Sequence, residues 1–248
     1  MRRRHPRSPA ATRHHPSMSM RPGHILKSVL KSVIRNGLIL LVIILCITSA
    51  QVLLFKYVNP PCTPLMLYRL AHREGMHYRW KPLSWISPFL QRAVLASEDQ
   101  RFPDHNGFDF KQINEALQDY AENKPLRGAS TISMQVARNL FLWQGRSWTR
   151  KALEAYYTVL IELIWSKPRI LEMYLNLAEW GKGIFGAEAA ALHYFRCSAS
   201  ALNREQAALL AAVLPNPRKW SPVRPSSFIQ RRRNFILKHM DRFTPLRE

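Results

Sequence analysis

The chain has 248 residues, 47% of them hydrophobic, so it is long and apolar enough to bury a core, and the spacing of its three cysteines fits no metal site. Its formal net charge of +21 points to an anionic partner. Charge alone does not choose among nucleic acid, a phospholipid surface and a phosphorylated substrate.

Residues 1–35 carry nine Lys/Arg and no Asp or Glu, with much Pro, Ser and His. Such a stretch has almost nothing to bury and reads as a basic, disordered tail. Residues 36–56 follow as a transmembrane helix: Asn36 to Phe55 is uncharged and apolar, and twenty such residues at helical rise cross a bilayer core. A cleaved signal peptide is the competing reading, with Thr48-Ser49-Ala50 as the small-residue site. The apolar run continues through Val52 to Phe55, which favours a retained anchor, and the basic tail favours a cytoplasmic N-terminus. Residues 57–248 would then face outward.

Residues 57–88 are a proline-punctuated connector bearing Tyr68, Tyr78, Trp80 and Trp85. The main domain spans 89–248. Leu90, Val94 and Glu98 are spaced as one helical face, which Pro103 and Gly107 end. Further helices are expected over 110–122, with a break at Lys124-Pro125, and over 130–141, with Ser130 or Thr131 at the N-cap. Others follow over 147–165, 169–179, 187–195, 203–213 and 226–240, with Gly181, Gly183 and Gly186 in a loop. No strand and no internal repeat is evident, so the fold class is all-α. The cysteines read as three unpaired thiols, with a Cys62–Cys197 bridge as the alternative.

Three clusters carry chemistry. Glu98 sits on an apolar face, where a carboxylate is costly without a partner or a task. Desolvation would raise its pKa, as suits a proton acceptor near neutral pH. A structural pair with Arg92 or Arg101 is the plainer reading. Gly128-Ala129-Ser130-Thr131 leads into a helix whose N-terminus could take an anion, and Thr131, Gln135 and Arg138 form a polar stripe on it. An ordinary capped amphipathic helix explains the same residues. Arg150 and Lys151 stand one turn from Glu154, either as a surface ion pair or as charges beside a phosphorylated sugar. A base, cations and a membrane anchor suit sugar transfer from a lipid pyrophosphate, without establishing it.

Five ordered stretches resemble one family. They are Ala96-Ser97-Glu98-Asp99 with Phe102, His105 and Gly107; GASTISMQVARNLF from Gly128 to Phe141; Arg150-Lys151 with Glu154; Lys167, Ile170 to Glu172, Tyr174 and Asn176; and Gly183 to Leu210. The chain closely resembles the peptidoglycan glycosyltransferases of family 51 in their monofunctional form, from about residue 82 to 237. Met134 stands where the family usually has Gln, and Arg138 where it usually has Lys. The resemblance implies a lysozyme-like, two-lobed helical domain behind a single transmembrane helix at the bacterial inner membrane. It implies polymerisation of lipid II into β-1,4 glycan with inversion and release of undecaprenyl pyrophosphate. Glu98 and Glu154 would be the catalytic carboxylates. Asp99, Phe102, His105, Ser130, Thr131, Gln135, Arg138, Asn139, Arg150 and Lys151 would bind substrate or pyrophosphate. No organic cofactor is implied; a divalent cation, magnesium or manganese, is allowed for. Lipid II, the growing strand and the membrane are the implied partners, with other cell-wall synthesis and division proteins as candidates and nucleic acid excluded. A lysozyme-like cleaving enzyme and a non-enzymatic basic anchor protein are the competing readings.

Overall fold

The computed structural model describes residues 22–122, 128, 130–145 and 147–246. The tail before Pro22, the Lys124-Pro125 break and Ala129 lie outside the described residues. The chain divides into two units after Thr48. Helix α1 runs from Pro22 to Tyr57, so helix replaces the disordered tail expected over 22–35. Its Val29–Tyr57 stretch is long and apolar enough to cross a membrane, and Leu38, Ile39, Leu40 and Leu41 are all exposed along it.

The second unit starts with the last turns of α1. Val52 is fully buried, its carbonyl accepts the Trp165 indole N–H at 2.8 Å, and the Arg169 guanidinium donates to Phe55 O at 2.9 Å. A cation on terminal helix carbonyls meets unpaired acceptors and the negative end of the helix dipole. The presumed connector is structured. It contains α2 (Pro64–Ala71), whose Thr63 caps Met66 N–H, and strand β1 (His77–Tyr78).

The remaining helices are α3 (Pro88–Glu98), α4 (Phe110–Ala121), α5 (Ile132–Phe141), α6 (Trp148–Ile164), α7 (Lys167–Leu177), α8 (Ala187–Phe195), α9 (Arg204–Val213) and α10 (Ser227–His239). The sequence marks most of their starts: Asp109, Thr131, Ser147, Ser166, Asn203 and Ser226 each cap a following N–H. Each such cap contributes about 1 kcal/mol. Packing falls into two groups. Helices α3, α9 and α10 pack together, and α5 packs against α2, α6 and α7.

The fold is mostly helical, as expected, with one small sheet. Residues 179–186 are not a plain loop: β2 (Glu179–Gly181) and β3 (Ile184–Phe185) form a hairpin, and β1 joins β3 in parallel, giving the order β1-β3-β2. Strands this short show no alternation for a sequence to reveal. Gly183 is required there, because its φ is +69° and a Cβ would lie 2.4 Å from Glu74 O. All three cysteines are free, so no Cys62–Cys197 bridge forms.

Candidate active site

Helix α3 delivers Glu98 to the cleft. Leu90 and Val94, on its apolar face, are fully buried, and the backbone leaves the helix at Asp99. Glu98 is therefore the last residue of the buried stripe. It emerges half-buried into a cavity of about 660 Å³ that Gln112, Glu115, Arg232 and Phe235 also line. Burial raises its pKa, against the opposing pull of the Gln135 amide, Arg232 and Arg138.

Gln135 joins this carboxylate to α5. Its Nε2 donates to Glu98 Oε2 at 3.3 Å, and its Oε1 faces the Tyr174 hydroxyl at 3.5 Å. Tyr174 is almost completely buried on α7, and burial with the nearby Glu98 charge keeps its phenol well above the usual range. It therefore stays a neutral donor. That fixes which end of the Gln135 amide faces Glu98. Tyr174 matched a family stretch in the sequence, yet nothing there marked it as a site residue; its contact with Gln135 does. Arg232 and Glu115 carried no sequence signal at all, since the loops and packing of α4 and α10 bring them to the cleft.

Gln135 also lines a second cavity, of about 340 Å³, with Arg138, Asn139, Trp143, Arg150 and Tyr174. Two features leave cationic donors free at this cavity. The Arg138 side chain has no hydrogen-bond or ion-pair partner among the described residues. Arg150 donates from Nη1 to Glu154 Oε2 at 2.9 Å, but its buried Nε has no acceptor. A buried unpaired donor costs about 1–3 kcal/mol, which an incoming anion removes.

Most of the remaining expected site residues lie behind the two cavities, while Asp99 also lines the one that holds Glu98. Glu154 is 1% exposed, with its second oxygen taken by Lys151 Nζ at 2.6 Å. It is no surface ion pair. It borders neither cavity, and neither does Lys151. Asp99 is buried; it accepts Ile132 N–H at 3.0 Å and faces His105 Nε2 at 3.0 Å. His105 Nδ1 accepts Gly107 N–H at 3.1 Å, which leaves the ring proton on Nε2, towards Asp99. Thr131, 1% exposed, donates to Gly107 O at 2.6 Å and caps Met134 N–H. At the α5 N-terminus, Asp99 and Thr131 thus take the N–H groups of Ile132 and Met134. Phe102 is fully buried beneath Lys167, whose Nζ is 4.5 Å from the ring centroid. Ser130 borders neither cavity. Met134 is buried on α5 and borders neither cavity.

Among the described residues, no group of three or more His, Cys, Asp or Glu side chains could hold a metal ion. Glu154 is saturated by two cations and Asp99 by its own partners. Among the described residues, these donors do not form an all-protein divalent-cation site.

Comparison with known proteins identifies the family. A family profile described as Transglycosylase matches residues 66–241, starting inside α2. A biosynthetic peptidoglycan transglycosylase of Ectopseudomonas mendocina is 50% identical over 218 residues, covering 86% of this chain and 90% of the relative. Its counterpart in Caulobacter vibrioides is 45% identical, covering 84% and 91%. One in Chromohalobacter salexigens is 57% identical over 166 residues, covering 67% and 71%.

Proposed function

The chain belongs to the transglycosylase family, and we propose that it is a peptidoglycan glycan-strand polymerase that uses lipid II, with Glu98 as its general base. In this reading, Glu98 takes the proton from the 4-hydroxyl of the GlcNAc of lipid II. The freed oxygen attacks the lipid-linked end of the growing strand. The configuration inverts, a β-1,4 bond forms, and undecaprenyl pyrophosphate leaves.

The single observation that carries this is the pairing of two cavities through Gln135: a raised-pKa carboxylate in one, an unpaired Arg138 and an orphan Arg150 Nε in the other. A base for the incoming hydroxyl and cations for the departing pyrophosphate are what such a transfer requires. Asn139 adds a polar group to the same wall. Glu154 and Lys151 act one step back: Glu154 aims Arg150, and Lys151 neutralises the carboxylate. Asp99, His105, Thr131 and Lys167 fix the junction of α3 and α5. A lysozyme-like hydrolase would need the acid but not the cationic cavity.

Helix α1 serves as a single-pass anchor in the inner membrane, with the domain on the periplasmic side near its lipid-linked substrate. A reporter fused after Phe55 should be active as an exported reporter and silent as a cytoplasmic one; the reverse pattern would overturn that topology. For the reaction itself, purified protein incubated with lipid II should yield polymer that a muramidase digests. Loss of lipid II without polymer, or shortening of preformed glycan, would favour cleavage instead.

A further inference from the structure

A third cavity, of about 360 Å³, lies between β1 and α8, and none of its lining residues borders the two cleft cavities. Its polar groups are His77, Arg79, His193 and Arg196; Met76 and Leu192 supply apolar wall, and no carboxylate lines it. Its two arginines differ from six others of the domain. Arg69, Arg101, Arg150, Arg169, Arg204 and Arg218 are each held by a carboxylate. Arg79 and Arg196 have no hydrogen-bond or ion-pair partner for their side chains among the described residues. Arg196 also sits at the C-cap of α8 with φ +57°, a left-handed conformation that favours Gly or Asn. An arginine there is strained backbone bearing an unpaired charge over a concavity.

The cavity is tied to the end of α1. The Tyr78 hydroxyl, from the strand that forms one wall, donates to Pro60 O at 2.9 Å. Pro60 follows shortly after Tyr57, the last residue of α1, at most about 10 Å of extended chain away. If α1 crosses the membrane, this is ground that a phospholipid headgroup reaches.

We propose that the β1–α8 cavity binds the phosphate of an anionic phospholipid, with Arg79 and Arg196 paired to the phosphate and Leu192 and Met76 against the glycerol end of the lipid. Arginine suits the task because its planar fork pairs with phosphate oxygens bidentately. A zwitterionic choline headgroup would bring a cation against the same two arginines and bind poorly. The site is separate from catalysis and would set how the domain rests on its membrane.

The test uses the full-length protein in neutral detergent, titrated calorimetrically with dihexanoyl phosphatidylglycerol, dihexanoyl phosphatidylcholine and inorganic phosphate. The account expects saturable binding of the phosphatidylglycerol alone. It expects Arg79→Gln and Arg196→Asn together to weaken that binding by about tenfold or more, and Arg79→Gln alone to weaken it less. Asn is chosen because it accepts the left-handed backbone, so the fold is kept; thermal melting checks this. Lys238→Gln, an exposed cation on α10, should bind as the parent does. Equal binding of both lipids, or undiminished binding by a folded Arg79→Gln protein and the double variant, would overturn the proposal. Inorganic phosphate binding as tightly as the phosphatidylglycerol would overturn the lipid assignment.

Discussion

The amide nitrogen of Gln135 lies 3.3 Å from Glu98 Oε2, so one side chain both borders the cationic cavity and steadies the carboxylate in the other. This contact holds down a pKa that burial pushes up. Gln135→Leu removes the donor and leaves the burial. The acid limb of the pH–rate profile should then move to higher pH, as expected when a hydrogen bond to a charged group is lost. Activity should recover in part as pH rises. An acid limb that stays where the parent has it would show that Gln135 does not act on the base.

Glu154 offers a second test, because its placement separates aiming from chemistry. It borders neither cavity and holds Arg150 and Lys151 on its two oxygens. Glu154→Gln leaves Arg150 less firmly aimed, so the apparent KM for the lipid-linked donor should rise and stability should fall by about 1–3 kcal/mol. Lys151 is partly exposed and contributes little of this. Steady-state kinetics with a melting curve checks both. A large fall in kcat with KM and melting unchanged would make Glu154 a direct participant.

Glu98 also links activity to stability. Its folded pKa is raised above 4.5, so the fold favours the protonated carboxyl. The stabilising contribution of that proton is full below the unfolded pKa and is lost as pH rises through the folded one. Glu98→Gln is neutral at every pH. Its melting temperature should equal or exceed that of the parent at pH 8, and the gap should narrow towards pH 4. A variant that becomes relatively less stable as pH rises would contradict a buried, cost-bearing carboxylate.

Much of this was legible in the sequence, for reasons that differ between residues. Thr131, one of two cap candidates, caps α5, and the spacing of Leu90, Val94 and Glu98 places the carboxylate on a buried face. Helix α2 was hidden because its Pro64 looked like one more break among many prolines; it is in fact the first residue of the helix, where proline is tolerated. The role of Asp99 was hidden because it depends on α5: only the fold brings Ile132 N–H to its carboxylate. The division between Arg150, which faces a cavity, and Lys151, which does not, depends on rotation of α6 about its axis, which spacing alone leaves undetermined.

The most direct measurement is the rate of lipid II polymerisation by Glu98→Gln, beside its melting curve. Glutamine keeps the shape and a hydrogen-bonding group but cannot accept the proton near neutral pH. General-base catalysis typically contributes about 10²–10⁴-fold, so turnover should fall by about that factor while the fold survives. A folded Glu98→Gln protein that polymerises within a few-fold of the parent would contradict Glu98 as the base and with it the proposed mechanism.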